Sequence, residues 1–114
     1  MEIEKIHEDK RGSLHRILFK EKEFLIIFTK KGMLRGGDYH KSTQRDFVLT
    51  GCMEFRYKTD GREHVKTLNA GEMIHFEPNV PHMFTAKEDT LIIEWLEGEF
   101  EKSYYQPYRK LVEK

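Results

Sequence analysis

Arg35 to Gly51 reads RGGDYHKSTQRDFVLTG, and this stretch decides the fold and carries most of the candidate chemistry. Side chains two residues apart in an extended strand share a face, so we expect Asp38 and His40 to project together. A carboxylate and an imidazole on one face are the elements of either a metal site or an acid–base site. The pair alone does not distinguish between the two.

A second stretch, from Gly71 to Phe84, reads GEMIHFEPNVPHMF and supplies the partner of the first. Met73 to Glu77 is predicted to be a strand that ends at Pro78, because proline cannot donate to a strand ladder and stiffens a tight turn. His82 then begins the next strand, with Phe84 on its face. Each stretch therefore places a histidine at a strand end, among residues that are expected to face inward.

Turn signals recur along the chain at short, even intervals, and the segments between them are rich in Ile, Val, Phe, Tyr and Thr. Several short strands at this spacing predict an all-β sandwich or barrel. The signals are Gly12, Lys31-Gly32, Gly36-Gly37, Gly51, Asp60-Gly61, Ala70-Gly71, Pro78-Asn79 and Lys87 to Asp89.

Cys52 to Leu68 contains the clearest hairpin, in which Asp60-Gly61 supplies the positive φ angles of a type I′ turn. Its first strand alternates apolar and charged residues, which predicts one buried and one solvated face. The only helix signal is C-terminal, where Pro107 is expected to open a short helix that runs through Glu113.

The composition excludes several classes of protein. The 114 residues suffice for one domain, and the 20 basic and 20 acidic residues are interspersed, so no basic stripe indicates a nucleic-acid partner. The longest apolar run, Phe24 to Phe28, is too short to cross a bilayer, and we expect a cytoplasmic protein without a membrane partner. A single cysteine, Cys52, excludes an internal disulfide and a cysteine-based metal cluster.

The high content of Lys, Glu and Arg is typical of proteins from hot, thermophilic environments.

Together the two stretches resemble the motif pair of the cupin superfamily. The first cupin motif runs Gly, five residues, His, one, His, three or four, Glu, six, Gly. In the second, GEMIHFEPNVPH resembles the usual GDVVFIPPGVPH, with His82 at the motif histidine. The match covers about residues 32 to 86, with the first motif on Gly32, Asp38, His40, Gln44 and Gly51.

The resemblance implies an all-β fold over residues 1–114, the double-stranded β-helix or cupin jelly-roll barrel, with a short C-terminal helix or tail. The mouth of such a barrel binds small ligands. Small cupins usually form homodimers. Apolar and polar residues do not alternate in two segments, Phe24 to Thr29 and Leu91 to Leu96, so we expect both faces of these strands to be covered. The opposing sheet would cover one face, and either the chain termini or a second subunit would cover the other. Met1 to Ile6 is a candidate to pair across a subunit edge.

In cupins the four motif positions usually hold one divalent transition metal. The resemblance therefore implies Asp38, His40, Gln44 and His82 as ligands of Mn, Fe, Ni or Zn. Asp38 stands in place of a His and Gln44 in place of the Glu. Two imidazoles and a carboxylate remain a sound set, like the facial triad of non-haem iron sites, whereas a neutral Gln oxygen is a poor ligand for Zn. The alternative is that His40 and His82 are hydrogen-bonded barrel histidines without a metal.

A narrower resemblance lies inside the first motif, where RGGDYHK is similar to the RGxHxHK segment of cupin sugar-nucleotide ketoisomerases and epimerase-like enzymes. It implies that Arg35 binds substrate phosphate, that His40 is the catalytic base and that Asp38 takes the other proton-transfer position. From the residues alone, Arg35 is equally compatible with a surface arginine paired with an acid, and Asp38 with an orienting partner for His40 or a turn-stabilising residue.

Three further side chains are weaker candidates. Glu94 lies within an apolar run and is expected either to project into the barrel as an acid or base or to face solvent at an edge. His75 alternates with Met73 and is expected to face inward, as a core or substrate-binding residue. Tyr57 is expected to form aromatic wall or core beside the substrate.

Three functions are compatible with these residues. The first is a metal-dependent isomerase, epimerase or dioxygenase, in which the metal polarises a substrate oxygen while Glu94 or Asp38 moves a proton. The second is a metal-free sugar-nucleotide isomerase or epimerase that uses Arg35 for phosphate and His40 for enolisation. The third is a non-catalytic module that binds a metal or a small metabolite, since a fold alone does not fix an activity.

Overall fold

The computed structural model describes residues 1–114 as eleven strands and one helix. The single helix has seven residues, which is too short to span a bilayer. The elements are β1 (Glu2–Asp9), β2 (Gly12–Phe19), β3 (Lys22–Thr29), β4 (Leu34–Tyr39), β5 (Gln44–Thr50), β6 (Cys52–Thr59), β7 (Arg62–Asn69), β8 (Met73–Phe76), β9 (His82–Ala86), β10 (Thr90–Leu96), β11 (Ser103–Tyr104) and α1 (Gln106–Val112).

Two antiparallel sheets form the barrel. The six-stranded sheet has the order β1-β2-β3-β10-β5-β8, and the five-stranded sheet has the order β11-β4-β9-β6-β7. The predicted jelly roll with a short C-terminal helix is confirmed. The predicted hairpin is β6 and β7, where Asp60 and Gly61 have φ angles of 52° and 73°.

The hydrophobic core lies between the two sheets, because alternate residues of each strand face inward. Every second side chain of β10 is buried, and the three between them are only half-buried. Phe55, Val48 and Ile92 are fully buried in the core cluster. Each side chain of this size stabilises the fold by roughly 1.5–3 kcal/mol when it leaves water.

A β-bulge in β4 sets the orientation of the site. Arg35 pairs with Phe84 and Gly36 with Met83, but the next residue of β9, His82, pairs with Asp38. Gly37 is therefore an extra residue, and the alternation of β4 shifts by one position after it. Arg35 and Asp38 are three positions apart, yet both side chains face the interior of the barrel, as their cross-strand partners Phe84 and His82 do.

The same glycine allows α1 to dock on β4. A Cβ atom at Gly37 would lie 2.6 Å from the Cα atom of Arg109 in α1, which is closer than two such carbons can approach. The Arg109 side chain donates from Nη1 to the Gly36 carbonyl at 3.0 Å, and Tyr108 and Val112 are buried against Met83. The helix therefore covers the outside of the five-stranded sheet directly behind the bulge.

We predict that Gly37→Ala lowers the free energy of unfolding by about 1–3 kcal/mol more than Gly61→Ala does, because only Gly37 lacks room for a methyl group. The two glycines have similar φ angles, 79° and 73°, so both substitutions strain the backbone alike. Urea unfolding of the two variants measures the difference. An equal loss of stability would show that the close approach of α1 to Gly37 does not contribute.

Candidate metal centre and ligand cavity

Three side chains converge at one end of the barrel. One potential ligand atom each from Asp38, His40 and His82 lies within 4.8 Å of the other two. The centroids of the two imidazole rings are 5.6 Å apart, and His82 Nε2 lies 3.2 Å from Asp38 Oδ1. The bulge in β4 and the start of β9 bring the three together.

Hydrogen bonds to backbone carbonyls orient both imidazoles. His40 Nδ1 lies 2.6 Å from the carbonyl oxygen of Glu101, and His82 Nδ1 lies 3.0 Å from that of Val80. An N–H at each Nδ1 donates to its carbonyl, so in the neutral form of each ring Nε2 carries the lone pair that a metal ion requires. The His82 ring also stacks on Phe76, with centroids 4.5 Å apart and planes 6° apart, which fixes its tilt.

The electrostatics of the group favour a bound cation. Burial opposes ionisation of Asp38, but the contact with His82 and the charges of His82 and His40 lower the pKa of this carboxyl. Burial likewise disfavours the charged form of His82, yet the Asp38 carboxylate raises the pKa of this imidazole. Asp38 is therefore an anion that draws positive charge to His82, either as a proton or as a metal ion.

The donor set fits a divalent transition metal. Two imidazole Nε2 atoms and one carboxylate are ligands of the 2-His-1-carboxylate type, which leaves other coordination positions open. The carbonyl partners on Nδ1 are the outer-shell contacts that metal-binding histidines usually have. Asp38, His40 and His82 would hold such an ion at the wall of a cavity.

The cavity has a volume of about 450 Å³, within the range of small-molecule sites. Its lining includes Asp38, His40 and His82 together with Arg35 and Arg11. A ligand in this cavity can therefore contact the candidate metal centre and a cationic group at the same time.

Arg35 is a buried cation whose contacts are neutral. Its side chain is 5% exposed, Nε donates to Thr29 Oγ1 at 2.8 Å, and Nη2 donates to the Phe28 carbonyl at 3.0 Å. Burial, together with the charge of Arg11, lowers the pKa of Arg35 to about 10. A buried guanidinium without a carboxylate contact is costly, and an anionic ligand in the cavity would compensate it.

A second polar cluster adjoins the metal centre. Gln44, Asp46 and Glu94 are buried on the inner face of β5 and β10, where Asp46 and Glu94 are cross-strand partners. The Gln44 amide nitrogen donates to Asp46 Oδ2 at 2.7 Å and to Glu94 Oε1 at 3.0 Å. Gln44 Oε1 and Asp46 Oδ1 have no partner, so the Gln44 oxygen stays open for a further ligand contact.

Burial disfavours ionisation of both carboxyls of this cluster. Burial raises the pKa of Glu94 well above its ordinary value, and the charge of Asp46 raises it further. Burial also raises the pKa of Asp46. Burial and the neighbouring charge therefore favour the protonated form of Glu94, which lines the same cavity as His40 and His82.

The structure corrects the expected inward position of His75, and it confirms Tyr57 as a residue packed against the core, away from the cavity. His75 lies on the outer face of β8, 54% exposed and with Nε2 3.3 Å from Glu77 Oε1, because Ile74 and Phe76 take the inward positions of this short strand. Tyr57 packs against Phe76 and His64 and lies outside the cavity lining. Neither residue contacts the cavity.

Three residues of the site are not predicted from the sequence. Asp46 follows Gln44 by two positions in a strand, and this spacing was a signal that the two share a face. Glu101 and Lys102 belong to the segment between β10 and α1, which crosses the cavity and supplies the carbonyl partner of His40. No local pattern indicates this contact, since it joins residues 61 positions apart.

No protein-family model and no curated protein matches the chain, but many solved structures do. A mutant of the Bacillus subtilis oxalate decarboxylase OxdC superposes with a TM-score of 0.80 over 93% of this chain, at 15% identity. The capsular polysaccharide assembling protein CapF from Staphylococcus aureus gives a TM-score of 0.74 over 89% at 17% identity. CapF with the inhibitor 3-isopropenyl-tropolone gives 0.78 over 90% at 15% identity.

This chain spans about a third of the length of those proteins, with 31%, 30% and 34% of their chains covered. Identities this low show the fold alone. The chain therefore has the jelly-roll fold that the resemblance of its two motifs implied.

We predict that Glu94→Gln raises the melting temperature of EDTA-treated protein by an amount that grows between pH 5 and 9. A carboxyl whose pKa is raised by folding stabilises the protein fully only below its unfolded pKa of about 4.3, and this contribution is lost as the pH rises through the folded pKa. Glutamine at position 94 does not ionise, so the variant avoids that loss.

Glu97→Gln is the matched control, because ion pairing with Arg45 lowers the pKa of this exposed carboxyl and its effect is confined to acid pH. A constant difference between Glu94→Gln and the unsubstituted protein from pH 5 to 9 would contradict the assignment of a raised pKa to Glu94.

Proposed function

We propose that the protein is a divalent-metal-dependent enzyme that isomerises or epimerises a small anionic molecule in its barrel cavity. The observation that carries the proposal is the convergence of Asp38, His40 and His82 beside a cavity that is also lined by Arg35, a buried cation without a carboxylate partner. A cavity with both a metal site and a cationic side chain suits a substrate that has an anionic group for the arginine and a second oxygen for the metal.

Each residue has a defined task in this proposal. Asp38, His40 and His82 hold the metal, with Gln44 Oε1 as a candidate fourth ligand atom. A bound divalent ion supplies Lewis acidity that lowers the cost of negative charge on a substrate oxygen. Arg35 binds the anionic group of the substrate and fixes its orientation.

Glu94 is proposed to move the proton that isomerisation or epimerisation requires. Its carboxyl lines the cavity, and burial together with the charge of Asp46 raises its pKa, which favours the protonated form that a general acid needs. A dioxygenase has less use for a proton donor at this place, so we favour proton transfer over oxygen chemistry. Among the proteins of similar fold, Mn(II) centres are named for oxalate decarboxylase, which supports a metal in the barrel of this one.

We predict near-stoichiometric binding of Mn²⁺ or Zn²⁺ by the purified protein and a loss of at least tenfold in affinity in His82→Ala, since one of three ligands is removed. Isothermal titration and elemental analysis of untagged protein measure both quantities. His75→Ala is the control, because this histidine lies outside the cavity. Equal affinity in the two variants, or no binding by the unsubstituted protein, would overturn the metal assignment.

We predict that Arg35→Met weakens the binding of anionic ligands to the metal-loaded protein by tenfold or more, because methionine fills the space of the side chain without its charge. Thermal shifts with inorganic phosphate, small dicarboxylates and nucleoside-diphosphate sugars measure the effect. Arg45→Met is the control, since Arg45 pairs with Glu97 away from the cavity. Unchanged anion binding in Arg35→Met would remove Arg35 from the proposed substrate site.

A second candidate function is a metal-free sugar-nucleotide isomerase or epimerase. It is favoured by the contact of 3.2 Å between Asp38 and His82, which already balances the carboxylate with an imidazolium. His40 would then serve as the base in enolisation. Turnover of a nucleoside-diphosphate sugar that persists in EDTA would distinguish this function from the first, and binding without turnover would indicate a non-catalytic module.

A further inference from the structure

The segment between β10 and β11, residues 97–102, is a part of the site that belongs to neither sheet. We call it the strap. Phe100, Glu101 and Lys102 of the strap line the cavity, together with the side chains of the candidate metal centre. One wall of the ligand cavity is therefore formed by irregular chain, whose position depends on what the strap contacts.

The strap lies on the loop between β4 and β5, residues 40–43, which begins with His40. At one end of this loop the Glu97 backbone N–H donates to the Thr43 carbonyl at 2.9 Å. Next to it, a Cβ atom at Gly98 would lie 3.1 Å from the Cβ atom of Ser42, so the strap packs closely on this serine. The glycine allows that approach.

Glu101 holds the other end of the loop through two hydrogen bonds to neighbouring residues. Its carbonyl oxygen accepts from His40 Nδ1 at 2.6 Å, and its Oε1 atom accepts from the Lys41 backbone N–H at 2.6 Å. A hydrogen bond to a carboxylate is stronger than one between neutral groups. The Glu101 side chain therefore fixes the place of its own carbonyl, which in turn orients the imidazole of His40.

Little else holds the middle of the strap. The backbone of residues 98–100 makes no hydrogen bond to other backbone groups, and Phe100 is still 36% exposed. A segment with few backbone hydrogen bonds and little burial opens locally at a small cost in free energy. The two bonds of Glu101 consequently have a large influence on whether the strap lies against the His40 loop.

We propose that Glu101 is a positioning residue that couples metal binding at His40 to closure of the strap over the cavity. This inference rests on the metal centre proposed above. His40 can offer Nε2 to a metal ion only as the tautomer with its proton on Nδ1, and this is the proton that the Glu101 carbonyl accepts. Metal binding and strap closure therefore favour each other by the same free energy.

The coupling has a consequence for the ligand. Phe100 and Lys102 flank Glu101 and line the cavity, so closure of the strap places both of them at the ligand site. The charge of Lys102 also lowers the pKa of Asp38 and of Glu94, which puts its ammonium close to the reacting end of the cavity. A bound metal ion thus completes the cavity wall that a ligand contacts.

The affinity for Co²⁺ and the visible absorption of the Co²⁺-loaded protein test the positioning role. We expect Glu101→Ala to weaken Co²⁺ binding about tenfold and to change the absorption spectrum, because His40 loses its fixed orientation. Glu101→Gln should restore both, since an amide oxygen also accepts from the Lys41 N–H. The matched control is Asp89→Ala, because Asp89 Oδ1 accepts from the Lys31 backbone N–H at 2.8 Å away from the cavity.

Hydrogen exchange of backbone amides, measured by NMR, reports on the strap without a substitution. We expect one equivalent of Zn²⁺ to slow exchange of the Lys41 amide at least tenfold and to leave the Lys31 amide unchanged. In Glu101→Ala the protection of Lys41 by Zn²⁺ should disappear.

The positioning role is overturned if Glu101→Ala binds Co²⁺ as tightly as the unsubstituted protein, or if Zn²⁺ does not slow exchange at Lys41. An equal loss of Co²⁺ affinity in Asp89→Ala also overturns it, because the effect would then be one of general stability. In each of these cases the metal centre itself stands if His82→Ala still loses the ion. Absence of metal binding by the unsubstituted protein would overturn both proposals.

Discussion

The extra residue in β4 is the constraint on which the site depends. Asp38 stands three positions after Arg35, so without the bulge at Gly37 regular alternation would turn Asp38 away from the barrel whenever Arg35 faces into it. The bulge puts both on the inner face, and His40, two positions after Asp38, follows it. The same glycine leaves the space that α1 occupies, so the position of the site and the docking of the C-terminal segment depend on one backbone feature.

The interior of the barrel contains both a packed apolar core and a group of buried polar side chains. Phe55, Val48 and Ile92 are fully buried in apolar contacts, which stabilise the fold. The chain also buries Arg35 without a carboxylate contact and sets Asp46 beside Glu94. Such groups lower the free energy of unfolding. Their concentration around one cavity is expected of a binding or catalytic site, where the local rules of stable packing are relaxed.

Much of the fold could be predicted from the sequence, because turn residues and alternation are local signals. The hairpin at Asp60-Gly61 and the helix after Pro107 follow directly from them. The orientation of His75 could not be predicted reliably, since a strand of four residues gives too few positions to decide which set faces inward. The contact between His40 and Glu101 depends on how the tail crosses the cavity, and only the three-dimensional structure reveals it.

The central claim is that Asp38, His40 and His82 bind one divalent ion together. X-ray absorption spectroscopy of protein loaded with one equivalent of Zn²⁺ tests it most directly, because imidazole ligands give a characteristic multiple-scattering pattern. We expect two imidazole nitrogens and at least one carboxylate oxygen at about 2.0–2.2 Å. A spectrum that shows only oxygen ligands, or a single imidazole, would contradict the claim.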